Sequence, residues 1–264
     1  MGYNIHGWIL SLRTKEQRMT MGEKEDLHFS PLYEHVKQAI LGRIIAGEWA
    51  PGALLPSEQA LAVEYGVSQG TLRKALNSLT EEKRLVRHQG KGTAVAMLSE
   101  QDEHFSFMHL NDRSGRRVIS FQCHNFSLRA DLPDEKERES LALGPKDEII
   151  RLDRVRIFDN KPAINERVTV VAGCFPGLRS LPCDSIPSRL YAFYQSHFGI
   201  TIARALETIE AVEATAEDSE RLAIKIGEPL LQVARVSFDL RGKPLEFRLS
   251  HITTRDYVYA NESR

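Results

Sequence analysis

Three short runs of apolar residues spaced by three and four, followed at once by two short strands around glycines, fill the stretch from Pro31 to Met97. Leu32, Val36, Ala39, Ile40 and Ile44 form one stripe of a helix. Ser30 and Pro31 supply its start and Gly47 its stop. After a turn at Pro51-Gly52, a second helix opens at Pro56-Ser57-Glu58, with Ser57 as N-cap and Leu61, Ala62 and Tyr65 inward. Gly66 permits the left-handed backbone of a tight turn. Ser68 then caps a third helix whose inner side is Leu72, Ala75, Leu76 and Leu79. Beyond it, Arg84–His88 and Thr93–Ala96 read as strands joined by the tip Gln89-Gly90-Lys91-Gly92.

Two helices across a glycine turn with a basic hairpin behind them make a winged helix-turn-helix. Each part has a task on duplex DNA. The second of the paired helices presents its N-terminal side chains to the major groove, where all four base pairs are distinguishable. Gln69, Thr71 and Arg73 lie on or near the face opposite Leu72 and Leu76. Arg73 suits guanine or a phosphate, Gln69 suits adenine, and Thr71 and Ser57 are of a size for phosphate oxygens. Helix N-termini add positive potential there. Gly90 and Gly92 let the hairpin backbone approach the minor groove, with Lys91 and Arg87 as further contacts, while His88 is expected to pack at the hairpin base. Glu58 completes the candidate set.

The formal net charge of −1 argues against a polyanionic partner only on average. Eight basic residues face six acidic ones between Pro31 and Met97, and six of the eight lie from Arg73 to Lys91. A polyanion meets the local charge, within a Debye length of about 10 Å. Other classes fall away. No run approaches the roughly 18 apolar residues of a membrane helix. Cys123, Cys174 and Cys183 are odd in number and form no CxxC pair, which disfavours a disulfide framework or zinc site and fits a reducing cytoplasm. No nucleophile–base spacing, metal-ligand cluster or phosphate loop is present, so no catalytic residue, metal or cofactor is expected.

The segment from Pro31 to about Met97 resembles the DNA-binding domain of the GntR family of bacterial transcription regulators. PGxxLPSE, LA, GVS, TLRKAL, L and GKGT occur in the family's order. Such proteins usually carry arginine after the PSE and GVS motifs, where this chain has Gln59 and Gln69. That departure implies a less electrostatic contact and an altered base preference.

From Phe105 the pattern becomes alternating strands, at 119–128, 149–158, 163–171, 201–212, 230–240 and 245–252, with helices at 134–143, 188–198 and 216–226. Asp159-Asn160-Lys161-Pro162 and Arg241-Gly242-Lys243-Pro244 carry β-turn chemistry. The expected class is α+β around an antiparallel sheet. Residues 105–264 resemble the effector-binding UTRA domain of the HutC subgroup. The resemblance rests on Arg154-Val155-Arg156, the Asp-Asn-Lys-Pro turn with Glu166, Arg189-Leu190-Tyr191, the Glu-Pro-Leu-Leu-Gln-Val-Ala-Arg strand and Gly242-Lys243-Pro244-Leu245-Glu246. It implies a chorismate-lyase-like fold. Residues 31–97 are therefore expected to form the DNA-binding domain, 98–104 a linker and hinge, and 105–264 the effector-binding and dimerisation domain. Residues 1–30 are expected to be a mobile tail, with some or all of 1–20 arising from an upstream start codon.

Arg154 and Arg156, two apart on a strand, share one face and need an anion. Glu166 and Glu246, on strands returning from turns, either neutralise them or bind ligand hydroxyl or amine groups. The resemblance adds Ser106 and the position before Leu190-Tyr191, where the family has a small hydroxyl residue and this chain has Arg189, with Ser188 one step earlier. An inward Arg189 would supply a third cation and favour a more acidic ligand. Arg248 and Tyr257 are further candidates. The expectation is a cytoplasmic repressor, without membrane contact. It would act as a homodimer on an inverted-repeat operator and be released by a small anionic metabolite held between the sheet and the 188–198 helix. Its rivals are an enzyme of lyase-like fold and an architectural DNA-binding protein without effector, whose pocket side chains would fill.

Overall fold

A computed structural model describes residues 31–97, 109–118 and 121–260. The expected tail, the 98–104 linker and hinge, and Ser106 lie outside these residues, as does Ser30. The chain falls into two compact units, one ending at Gly42 and resuming over Pro56–Lys83, the other combining Arg43–Leu55 with Arg84 onward.

The helices follow their caps and stripes. They are α1 (Leu32–Ile45), α2 (Glu58–Glu64) and α3 (Gln69–Glu81). Their inner sides are Val36 and Ile40, Leu61 and Ala62, and the fully covered row Leu72, Ala75, Leu76 and Leu79. Ser57 Oγ accepts from Ala60 N, and Ser68 Oγ from Thr71 N, each at 3.1 Å, the N-cap bonds that the serines predict. Gly66 holds φ +64° between α2 and α3, where a side chain would be strained. Lys37 Nζ meets Glu82 Oε1 at 2.5 Å, fastening the middle of α1 to the end of α3.

In the larger unit, β1 (Leu85–His88) and β2 (Gly92–Val95) pair antiparallel from Leu85↔Val95 to His88↔Gly92. His88 is exposed and does not pack at the hairpin base. Arg84 Nη1 donates to Ala203 O and Gln195 Nε2 to Ala96 O, both at 3.4 Å, so the hairpin is bonded to the rest of this unit.

The sheet comprises β4 (Gln122–Asp131), β5 (Ile149–Phe158), β6 (Lys161–Val171), β7 (Ile202–Glu213), β8 (Pro229–Asp239) and β9 (Pro244–Thr253), antiparallel in the order β4-β5-β6-β9-β8-β7. Helices α4 (Glu135–Ser140) and α6 (Ala216–Leu222) lie on one face, and α5 (Leu190–Phe198) lies on the other. Between β5 and β6 the turn is the two residues Asp159 and Asn160, both at positive φ, as a tight hairpin of matching twist demands. Three features went unforeseen. Leu110–Asp112 (β3) pairs with Tyr257–Tyr259 (β10) as a small second sheet. Three 3₁₀ turns occupy the stretch between Ala172 and Ser185. The helix expected over 216–226 stops at Leu222, because Ala223 turns left-handed at φ +55°.

Candidate DNA-reading elements and effector site

Of the candidate readers on α3, Gln69 and Arg73 are exposed and Thr71 is half buried, its hydroxyl 2.9 Å from Ser68 Oγ. Ser57 and Ser68 already accept backbone bonds at their helix N-termini, so each helix opens with a satisfied cap. Glu58 is the finding here. Its Oε2 accepts from Arg73 Nε at 3.0 Å, across the turn between α2 and α3. A carboxylate repels a phosphate, whereas this one engages the inner nitrogen of a guanidinium whose side chain stays largely exposed. Lys74 Nζ sits 4.1 Å from the Tyr33 ring centroid, a pairing the sequence reading missed. In the hairpin, Arg87, Gly90, Lys91 and Gly92 are exposed, with Gly90 and Gly92 at φ +73° and +111°.

The second candidate site is a buried cluster of charge on the face of the sheet covered by α5. The register places Arg154 opposite Glu166 and Glu166 opposite Ser250; Arg248 and Glu246 follow on the same face of β9. Arg154 Nε donates to Glu166 Oε1 at 2.6 Å, Arg156 Nη2 reaches Oε2 at 3.0 Å, and Arg248 Nη1 approaches Oε2 at 3.5 Å. Ser250 Oγ adds a donor at 3.3 Å. Glu246 accepts from Arg248 Nη2 at 2.9 Å, from Tyr194 at 2.8 Å and from Tyr191 at 3.0 Å. Ser237 Oγ lies 2.8 Å from the Tyr191 hydroxyl. Arg154, Glu166 and Glu246 are each no more than 2% exposed.

Among the described residues, three guanidiniums thus surround two carboxylates. Burial alone would raise the Glu166 carboxyl, yet Arg154, Arg156 and Arg248 together hold it well below the usual carboxylate range. Burial brings Arg156 down to about 10, against the pull of Glu166. Burial and the adjacent Glu246 push the Tyr194 hydroxyl well up, so it stays a protonated donor. Arg154 Nη1 donates to Ser188 O at 3.2 Å, just before α5, while its buried Nη2 has no acceptor among the described residues.

The third cation is therefore Arg248. Arg189 stands half buried at the N-cap of α5, and Ser188 contributes its carbonyl. Tyr257 is separate from the charges, its ring 5.4 Å from that of Phe158 in an apolar cluster with Leu110 and Ile252. Tyr191, Tyr194 and Ser237 were not foreseen. The signal for the tyrosines was their i, i+3 spacing on a helix expected to face the sheet. Beside the cluster lies a small apolar cavity of about 10 Å³, lined by Leu152, Val168, Leu190 and Tyr194 among others, room for roughly one water. No helix among the described residues is long and apolar enough to cross a membrane.

Comparison with known proteins matches both parts. The model of the bacterial regulatory proteins of the gntR family matches residues 32–95, and the UTRA domain model matches residues 117–257. The histidine utilization repressor of Klebsiella aerogenes is 31% identical over 209 residues, 78% of this chain and 84% of that one. The mannosyl-D-glycerate transport/metabolism system repressor MngR of Escherichia coli is 27% identical over 229 residues, 87% of this chain and 94% of that one. In fold, the chain resembles PhnF from Mycobacterium smegmatis, with a TM-score of 0.51 and 24% identity over 87% of this chain and 99% of that one. It also resembles the ligand-binding domain of a GntR-family regulator from Bordetella bronchiseptica, with a TM-score of 0.56 and 24% identity over 61% of this chain and 99% of that one. The helix-turn-helix with its hairpin and the six-stranded sheet are thus the two halves of one known arrangement, and the chain belongs to the gntR family of bacterial regulatory proteins, as a DNA-binding transcription regulator with a UTRA domain and not an enzyme.

Proposed function

We propose that this regulator is a cytoplasmic repressor that binds an inverted-repeat operator as a homodimer and lets go when a small anionic metabolite enters the Arg154 cluster. Residues 31–97 read DNA, 98–104 act as the hinge, and 105–264 bind effector and partner. Gln69 and Arg73 face the bases, Thr71 and Ser57 the phosphates, and Arg87, Lys91 and the flanking glycines the second groove, with Glu58 aiming Arg73. The relatives that are repressors of catabolic systems support the direction of control.

One observation carries the effector reading: a fully buried guanidinium, Arg154, keeps one nitrogen without an acceptor among the described residues, in a cluster where those residues supply three guanidiniums and two carboxylates, a surplus of one positive charge among them. An ion of single negative charge neutralises that surplus. A carboxylate or phosphate oxygen also offers the short, charge-assisted acceptor that Nη2 needs. Hydroxyl or amine groups on the same molecule suit Glu166 and Glu246. Because the adjacent cavity holds about one water, an incoming metabolite must displace side chains, and that displacement distinguishes bound from free protein. An architectural protein without effector would satisfy its guanidiniums from within, whereas Arg154 Nη2 finds no acceptor among the described residues.

A thermal-shift screen against anionic metabolites, followed by operator release monitored by gel shift, tests the reading. Arg154→Met, which keeps the bulk and removes the charge, is expected to leave operator affinity within about twofold and to abolish release by the metabolite. Unaltered release by that variant overturns the assignment.

A further inference from the structure

Asn125 on β4 and Arg154 on β5 are directly opposed, so their side chains project to the same face of the sheet. Both hold down one segment, the strap 183–188 that leads into α5. The Asn125 amide nitrogen donates to the carbonyls of Cys183 and Ile186, each at 2.9 Å. Arg154 Nη1 donates to Ser188 O at 3.2 Å and approaches Pro187 O at 3.5 Å. The amide nitrogen has two hydrogens and uses both, so turning the amide over would set its oxygen against two carbonyls. Its orientation is thereby fixed. Each side chain is left with one polar atom: Asn125 Oδ1, an acceptor, and Arg154 Nη2, a donor. Both are buried and neither has a hydrogen-bond partner among the described residues. A single buried orphan is uncommon; two of opposite kind on facing side chains, under one strap, describe the polar end of a ligand.

We propose that Asn125 is a specificity-determining residue of the effector site, and that the effector carries a hydroxyl or N–H donor close to its anionic group. The proposal rests on the effector reading of the Arg154 cluster given above and narrows it from any small anion to one with an adjacent donor. The anionic oxygen accepts from Arg154 Nη2, and the neighbouring O–H or N–H donates to Asn125 Oδ1. A 2-hydroxy carboxylate meets both demands, and so does a phosphate that keeps one proton. A plain carboxylate or a sulfate offers acceptors alone and leaves Oδ1 buried and unpaired, which costs at least about tenfold in affinity. The strap and the sheet also set what lies beyond that polar end. Leu152, two residues before Arg154, shares its face and pairs with Leu128. These two leucines line the small cavity together with Ile186 of the strap and Leu190 of α5. The part of the ligand that displaces side chains there is therefore hydrocarbon.

Matched anions titrated against the full chain test this, with thermal stabilisation and calorimetry as readouts. The pairs are lactate against propionate, mandelate against phenylacetate, and phosphate against sulfate; the first member of each adds the donor. The wild type is expected to bind the donor-bearing member at least about tenfold more tightly in the carboxylate pairs or in the phosphate pair, and the pair that responds names the anion. Asn125→Leu, which keeps the bulk and removes the acceptor, should bring that ratio to near one. Loosening of the strap weakens both members alike and cancels in the ratio. Asn125→Ala is read in the same way should the leucine variant not fold. Equal binding within every pair by the wild type, lost in Arg154→Met, overturns the donor requirement and leaves the effector reading standing; a water fixed between the two atoms would give that result. A preference that survives both Asn125 variants overturns the assignment to Asn125. Stabilisation by none of the six anions, or an Arg154→Met chain that responds as the wild type does, overturns the effector reading and this proposal with it.

Discussion

Replacing Glu166 by glutamine is expected to lower folding stability by about 3–5 kcal/mol, the cost of removing one partner from a buried ion cluster. The glutamine keeps the volume and loses the charge. Arg154, Arg156 and Arg248 then remain in a dry interior with Glu246 as the one carboxylate of the cluster among the described residues, and Glu246 is engaged by Arg248 and two tyrosines. Outside the protein each guanidinium would recover its hydration, so the unfolded chain gains relative to the folded one. Urea unfolding of the wild type and variant at neutral pH reads the difference, and a loss below about 1 kcal/mol, the level of a solvent-exposed pair, would show that the cluster is wet. The same carboxylate sets a pH signature. Its folded-state pKa lies well below the usual value because the three arginines outweigh burial. The stability it contributes is thus complete above the ordinary glutamate pKa of about 4.3 and is lost progressively as pH falls below it. Glu166→Gln should flatten that acid limb.

The parts of this molecule that local chemistry dictates were legible before the fold was known. The three N-terminal helices announce themselves because capping serines, a stripe of leucines and a turn glycine all act within a few residues of one another. Arg154, Arg156 and Glu166 were legible as a group for a similar reason. A spacing of two puts the arginines on one face, and the short Asp159-Asn160 turn brings Glu166 back opposite Arg154. What escaped depends on packing between distant elements. The third cation was sought at Arg189, next to a family motif, but α5 begins immediately after it and Arg248 reaches the carboxylates from β9. Tyr191 and Tyr194 became donors to Glu246 only through the way α5 lies on the sheet. The β3–β10 pair has three residues per strand, too few for a period to show, and it draws Tyr257 into an apolar cluster. The ion pair of Glu58 with Arg73 also escaped, since a sequence shows proximity to the reading helix without showing which way a carboxylate turns.

On the DNA side, Arg73→Ala is expected to weaken operator binding by about 1–3 kcal/mol, roughly 5- to 150-fold, while leaving effector-induced thermal stabilisation intact. The Arg73 side chain is 59% exposed and is steadied at Nε by Glu58, so its remaining two nitrogens form a fork of fixed direction. A fork of that kind suits the O6 and N7 pair of guanine, and its loss should relax preference at one base pair instead of weakening all sequences alike. Lys91→Ala supplies the contrast, a uniform loss with a smaller dependence on salt, as expected of a phosphate contact. Glu58 separates positioning from contact. Glu58→Gln removes a negative charge from the DNA-facing surface, so affinity for random duplex should rise or hold. The guanidinium loses its charged anchor at the same time, so the ratio of operator to random-duplex affinity should fall. Were Glu58 a direct reader of bases, both affinities would not part in this way, and were Arg73 idle on the surface, its removal would leave the gel-shift midpoint where it was.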